Sequence, residues 1–489
     1  MLNKWKQTIS KFVCFVLTCQ LFILTVWAKP DWPSDTGIMA EAGIVMDMDS
    51  GAILYGQNIH LTYPPASITK ILTALIVLEN CNLDDTVTFS TTAVNQVEAD
   101  SGNKISVVAG DQLSVEDCLY SMLLVSCNQA ANALAEHTAG SISAFVDMMN
   151  EKLAELGCQE SHFENPSGLN GDNQYVSAYD MALIAQAAYD NETLVEISSA
   201  TTHRIAPTTQ NPDGFTIRGE HRLCVTEDPS SPYYYPEAIA GKTGYLIKAG
   251  NTLVTYAVKD NRRLVSVILK GQPRQYFVDG KALLEFGFRS FQHYTVADYE
   301  SRYVTGNETI NLDKGSFQAS DLMIDPDSVI TLPNSASFED ADITLGALPE
   351  ISPDNAVALL TYSYNDRTIG TAYLLAKDGV TIDGNDSAAE AATTAFDTAN
   401  AEAPLATASN AEKPQRPHKH ISVAGVLITI LIVLLVLGVI GLISWFIYSK
   451  KKEAKALAKR RERRRQRLQR SGEEEEFERL LAEYKNKKK

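Results

Sequence analysis

The sequence predicts an α/β chain of the α+β kind: an antiparallel sheet with helices packed on it, then a small β-rich domain, then a single C-terminal transmembrane helix. Three observations predict it. β-type runs stand on both sides of a long helical middle, an order that one sheet assembled from both ends of a domain accommodates. Near residue 297 the texture changes to short β-type runs broken by Asp, Asn, Pro and Gly. Residues 421–448 then run 28 positions without a charge, more than the ~20 needed to cross a bilayer. The 489 residues exceed one domain, and a 45% hydrophobic composition excludes disordered, collagen-like and disulfide-dense chains.

Lys4, Lys6 and Lys11 precede the apolar run Phe12 to Val26, which closes with Val26-Trp27-Ala28. Residues 1–28 thus read as a secretory signal peptide, the alternative being a retained N-terminal anchor. Gly43 to Met48 and Ala52 to Tyr55 read as two strands around the turn Asp49-Ser50-Gly51. A helix is expected from Ser67, with Ile68, Leu72, Leu75 and Leu78 as apolar contacts. Ser114-Val115-Glu116-Asp117 caps a second helix through Leu124. A third starts near Asn128, and a fourth covers 143–156, stopped by Gly157. Asn251 to Val258 and Leu264 to Leu269 form a second hairpin across Lys259-Asp260-Asn261-Arg262. Residues 37–290 are therefore read as the main domain and 297–380 as the β-rich one, with strands such as 328–332 and 356–364. Residues 382–420, rich in Ala, Thr and Asn, form a flexible linker with a reach of roughly 35 Å.

Charge supports this layout. The net charge is −17, yet residues 450–489 hold 17 basic and 8 acidic residues and residues 1–28 only three lysines, which leaves −29 on residues 29–420. An acidic body argues against nucleic acid as a partner. Twelve Lys/Arg follow the uncharged run within 450–470, against three just before it. The positive-inside rule then places a basic tail, 449–489, in the cytoplasm and the body outside the membrane. The tail's partner is either anionic lipid or a cytoplasmic protein, because Phe477, Leu480, Leu481 and Tyr484 repeat at helical spacing beyond the basic run. Five cysteines remain outside the signal (Cys81, Cys118, Cys127, Cys158 and Cys224), with no C-x-x-C and no histidine cluster, so they read as small buried hydrophobes and no metal or cofactor is expected.

Three short motifs could carry chemistry. In Ser67-Ile68-Thr69-Lys70, the chain enters through Tyr63-Pro64-Pro65-Ala66, and positions i and i+3 of a helix share a face, so the Lys70 amine can reach the Ser67 hydroxyl. Ser126-Cys127-Asn128 lies between two apolar helices that would hold it rigidly, unlike the similar triplets Ser101-Gly102-Asn103 and Ser363-Tyr364-Asn365. Lys242-Thr243-Gly244 ends a probable strand and offers a cation and a hydroxyl beside a residue that permits close backbone approach, a design suited to a carboxylate. Each alone reads equally well as a cap, a turn or an edge strand.

In order, the three motifs resemble those of the D-alanyl-D-alanine carboxypeptidases, the low-molecular-mass penicillin-binding proteins. Two further segments strengthen the likeness: Phe163-Glu164-Asn165-Pro166-Ser167-Gly168-Leu169 and Ser177-Ala178-Tyr179-Asp180-Met181-Ala182. The resemblance implies a β-lactamase/transpeptidase-like domain in a membrane-attached enzyme. Such an enzyme removes the terminal D-alanine of peptidoglycan stem peptides through an acyl-enzyme, and β-lactam antibiotics trap it. It also implies roles. Ser67 would be the nucleophile, Lys70 the general base and Ser126 a proton relay. Asn128 would hold the substrate amide, Lys242 and Thr243 the substrate carboxylate beside Gly244, and the backbone N–H groups of Ser67 and Tyr245 the oxyanion. As a base, Lys70 must lose about 3 from its ordinary pKa of about 10.4. Cys127 departs from the family's usual glycine. A D,D-transpeptidase shares the acylation machinery. A class A β-lactamase fits less well, since Glu164 and Asn170 are six apart rather than four. A non-catalytic, wall-sensing ectodomain would not need all the motif side chains intact.

Overall fold

The computed structural model describes residues 29–98, 101–349 and 351–382. The expected signal, span and tail, and all but the start of the linker, lie outside them. Among the described residues no helix is long and apolar enough to cross a membrane.

The first sheet is built from both ends of the main region. β1 (Ala42–Asp47) and β2 (Ile53–Gln57) form the first hairpin. The helical middle follows: a 3-10 turn at Ala66–Thr69, then α1 (Lys70–Asn80), α2 (Val115–Leu124), α3 (Asn128–Ala139), α4 (Ile142–Glu155) and α5 (Ala178–Tyr189). β3 (Ala238–Leu246), β4 (Gly250–Lys259) and β5 (Arg262–Gly271) complete the sheet, and α6 (Gln275–Ser290) returns across it. Strand order is β2-β1-β5-β4-β3, antiparallel throughout, so β3 lies at an edge.

Period-two alternation explains why both faces are covered. Every residue of β1 is buried: Ile44 and Met46 join the core under α1–α5, whereas Val45 joins the smaller core with Leu283 and Leu284 of α6. The expected helix around 67–78 holds, with one change. Ser67 sits in the 3-10 turn and α1 begins at Lys70; the left-handed backbone of Ala66, φ 52°, bars a helix from starting before Ser67. Residues 70 to 77 are all buried, which leaves Lys70 and Thr73 as polar groups in an apolar helix. Ser114 caps α2 by accepting from the Asp117 N–H.

The second region carries its own core. β6 (Phe291–Thr295), β7 (Leu322–Ile324), β8 (Val329–Pro333), β9 (Asp342–Gly346), β10 (Ala356–Tyr364) and β11 (Arg367–Ala376) pair as β6 with β8 and as a four-stranded sheet β7-β11-β10-β9. Ile330, Leu360, Tyr362 and Leu374 fill it. Asp47 joins the two regions. This fully buried carboxylate accepts from His293 Nε2 of β6 at 2.6 Å and from Arg262 at 3.4 Å, and next to it Ser50 Oγ meets Thr331 Oγ1 at 2.7 Å. Burial pushes the Asp47 pKa up, but His293 and Arg262 outweigh it and hold the carboxyl below its usual range. Asp47, Asp49 and His293 converge closely enough to suggest a metal site, yet Arg262 and Arg263 already pair with the two carboxylates. Of the cysteines outside the signal, Cys118, Cys127 and Cys158 are buried, Cys81 and Cys224 are half-buried, and all five are free thiols.

Candidate active site

Ser67 owes its position to the residues before it. Ala66 is buried and adopts a left-handed backbone conformation, φ 52°, which a residue with a Cβ holds only when its surroundings enforce it. They do: Thr69 Oγ1 donates to the Ala66 carbonyl at 2.9 Å, and Thr252 Oγ1 of β4 donates to the Pro65 carbonyl at 2.8 Å. Ser67 is left half-buried at the head of α1.

One turn on, the fully buried Lys70 amine makes three contacts: Ser67 Oγ at 3.0 Å, Asn128 Oδ1 at 2.8 Å and the Ser167 carbonyl oxygen. Among the described residues no carboxylate pairs with it. Its pKa lies well below the ordinary lysine value, chiefly through burial and then through the nearby Lys242 cation. The turn before α3 delivers Asn128 to this point. Ser126, half-buried with φ 61°, reverses the chain between α2 and α3. Cys127 follows, its N–H on the Ser121 carbonyl at 3.0 Å and its thiol buried and pushed up to about 11 by desolvation.

β3 passes directly alongside. A Cβ on Gly244 would come within 2.8 Å of Ser67 N, 3.1 Å of Ala66 Cβ and 2.3 Å of Thr252 Oγ1, so no larger residue fits. Lys242, two residues earlier on this strand, is 2% exposed, and its amine donates to the Thr243 carbonyl at 2.9 Å. Burial lowers its pKa to about 8, with Glu220 opposing and Lys104 adding to the shift. Thr243 is half-buried, and Tyr245 is 64% exposed on the open edge of the sheet.

The structure therefore brings Ser67, Lys70, Asn128 and Gly244 together, puts Ser126 at the adjoining turn and places Lys242, Thr243 and Tyr245 along the same edge strand. Ser101-Gly102-Asn103 lies in a loop, where Gly102 accepts from Gln129, and Ser363-Tyr364-Asn365 ends β10 in the other region. Lys242-Thr243-Gly244 falls inside a nine-residue strand, short of its end. Sequence reasoning missed the Ser167 carbonyl, because a backbone oxygen leaves no mark in residue identity. The only hint was the segment Phe163 to Leu169 that contains it.

A serine backed by a buried, uncompensated lysine, beside an edge strand that bears a second cation, defines an enzyme of acyl transfer through an active-site serine. Residues 29–272 match the family described as D-alanyl-D-alanine carboxypeptidase. The chain is 35% identical over 265 residues to D-alanyl-D-alanine carboxypeptidase DacB2 of Mycobacterium tuberculosis, covering 53% of this chain and 84% of that one. It is 30% identical over 357 residues to D-alanyl-D-alanine carboxypeptidase DacA of Haemophilus influenzae, covering 69% and 84%. The fold matches penicillin binding protein 6B of Escherichia coli with a TM-score of 0.52, at 23% identity, over 72% of this chain and 99% of that one. This chain belongs to the D-alanyl-D-alanine carboxypeptidase family, whose members are serine peptidases.

Proposed function

We propose that the chain hydrolyses the last peptide bond of stem peptides ending in D-Ala-D-Ala, with Ser67 as nucleophile and Lys70 as its general base. The observation that carries this reading is the set of contacts around the Lys70 amine. A neutral amine has two N–H bonds and one lone pair. The Asn128 and Ser167 oxygens are carbonyls that can only accept, so they take both N–H bonds. In that form the lone pair is left for Ser67, whose Oγ lies 3.0 Å from the amine and whose hydroxyl would donate to it. Burial and then the Lys242 cation push the amine's pKa well below the ordinary lysine value, toward the neutral form that a base requires.

Ser67 Oγ attacks the carbonyl between the two D-alanines as its proton passes to Lys70. The tetrahedral oxyanion collects against the Ser67 and Tyr245 backbone N–H groups, a reading supported by the close approach of Gly244 to Ser67. Ser126 relays a proton to the leaving amine, D-alanine departs, and water clears the acyl-enzyme. Asn128 also orients the substrate amide, and Lys242 and Thr243 hold the terminal carboxylate. β-Lactams enter by the same route. Residues 421–448 anchor the enzyme in the membrane with the body outside and the basic tail inside, a reading supported by the charge asymmetry of the sequence.

The full-length chain, given a peptide ending in D-Ala-D-Ala, should release free D-alanine with water as acyl acceptor, and labelled penicillin should attach to Ser67. Ser67→Ala should abolish both. Release that requires an added amine would make the chain a transpeptidase, and rapid penicillin turnover without D-alanine release would make it a β-lactamase. Labelling that persists in Ser67→Ala would place the nucleophile elsewhere.

A further inference from the structure

The third acceptor on Lys70 is a backbone oxygen, and a backbone oxygen points only where its peptide unit is held. The unit in question joins Ser167 to Gly168. Its carbonyl meets Lys70, and its N–H donates to Asn165 Oδ1 at 2.8 Å. In a planar trans peptide the C=O and N–H bonds point in opposite directions, so the acceptor that fixes the N–H also aims the carbonyl. Asn165 does more at the same turn. Its Oδ1 accepts from Ser167 Oγ at 3.0 Å and from the Leu169 N–H at 3.1 Å, while its Nδ2 donates to the Leu169 carbonyl at 3.1 Å.

The preceding peptide is pinned from the other side. Thr73, fully buried on α1 one turn after Lys70, donates through Oγ1 to the Pro166 carbonyl at 2.7 Å. Positions 70 and 73 share a helix face, so one face of α1 grips two successive carbonyls of this turn. The turn cannot slide inward either: Gly168 has φ +81°, and a Cβ there would lie 1.9 Å from the Ala66 carbonyl oxygen.

We propose that Asn165 and Thr73 are positioning residues for acylation: together they lock the Ser167–Gly168 peptide with its carbonyl on the Lys70 amine, which turns the amine's lone pair toward Ser67. The proposal rests on Lys70 being the base of Ser67. Thr73 is fully buried, and both residues act through the carbonyl. Thr73→Val removes one hydrogen bond with little change of shape, and Thr73→Ser restores the hydroxyl.

The experiment follows acylation of the full-length chain by a fluorescent penicillin across pH, alongside D-alanine release from the peptide. Thr73→Val should slow acylation about tenfold, the size expected for one buried hydrogen bond. The loss should fall on kcat with KM unchanged, and Thr73→Ser should recover most of it. The acid limb of the pH profile should move to higher pH, because water reaching a loosened turn relieves the burial that, with Lys242, holds the amine's pKa down. Asn165→Ala should do the same, and Thr73→Val with Asn165→Ala should be little slower than the slower single variant, since both act through one carbonyl. Circular dichroism should show all variants folded. Wild-type rate and an unmoved acid limb in folded Thr73→Val and Asn165→Ala would overturn the proposal, as would losses that simply multiply. A wild-type chain that never labels at Ser67 would overturn the underlying reading instead.

Discussion

Two of the buried ionisable side chains, Asp47 and Lys70, are treated in opposite ways. At the junction between the regions, Asp47 is fully buried but surrounded by His293, Arg262 and the Ser50 N–H, so it stays ionised and serves as a fastening. At the active site, Lys70 is just as deeply buried, yet it faces only neutral acceptors and a second cation, so it is driven toward the free amine. Compensation makes a buried charge structural, and its absence makes one reactive.

Substitution at each place should separate the two effects. Lys70→Met should produce the largest change, a loss of acylation of at least about a thousandfold through removal of the base. The same variant should melt higher than the parent in a thermal scan. A lysine whose folded pKa is depressed costs stability wherever the unfolded chain is protonated, and methionine removes that cost. A lower melting temperature would mean that Lys70 is structurally compensated after all.

Asp47→Ala should do the reverse. Acylation by penicillin at 25 °C should stay near that of the parent, while stability falls by about 3–5 kcal/mol as His293 and Arg262 lose a buried partner. The Asp47 carboxyl is held below its usual value, so its stabilisation is present above the unfolded pKa of about 3.9 and fades as pH falls through the folded value. The gap in melting temperature between parent and Asp47→Ala should therefore close in strong acid and be full at neutral pH. A gap that ignores pH would show that packing, not charge, fastens the junction.

The smallest effect concerns Lys242, proposed above to hold the substrate carboxylate: its pKa of about 8 means that the free enzyme would lose this cation in mild alkali. kcat/KM for the peptide should fall as pH rises through about 8, about tenfold for each further pH unit. kcat should fall only at higher pH, because a bound carboxylate restores the cation's preference for its proton. Parallel alkaline limbs in the two profiles would assign that ionisation to another group.

How much of this was legible beforehand depended on where the information sits. Strand alternation in 42–57 and 250–271, the Ser114 cap and the helical spacing after Ser67 are local, and each appeared where expected. The choice of Ser126-Cys127-Asn128 over two look-alike triplets also rested on local sequence, the apolar helices around it; the Asn128 contact with Lys70 now places that turn at the site. The details of the turn at Ser167 were not legible. A carbonyl direction, a left-handed Ala66 and a strand running within contact distance of Ser67 depend on segments about 100 to 180 residues apart in sequence meeting in space.

Residue identity and spacing showed the two hairpins, the helices between Ser67 and Gly157 and the three motifs, because hydrophobic period and functional-group chemistry are written one residue at a time, but they did not show the helices at Ala178–Tyr189 and Gln275–Ser290. Only tertiary structure decided which partners surround each lysine. Both are buried, but Lys70 alone has two carbonyls and a serine hydroxyl on its amine, and that arrangement exists only once α1, the turn before α3 and the loop at Ser167 are packed together.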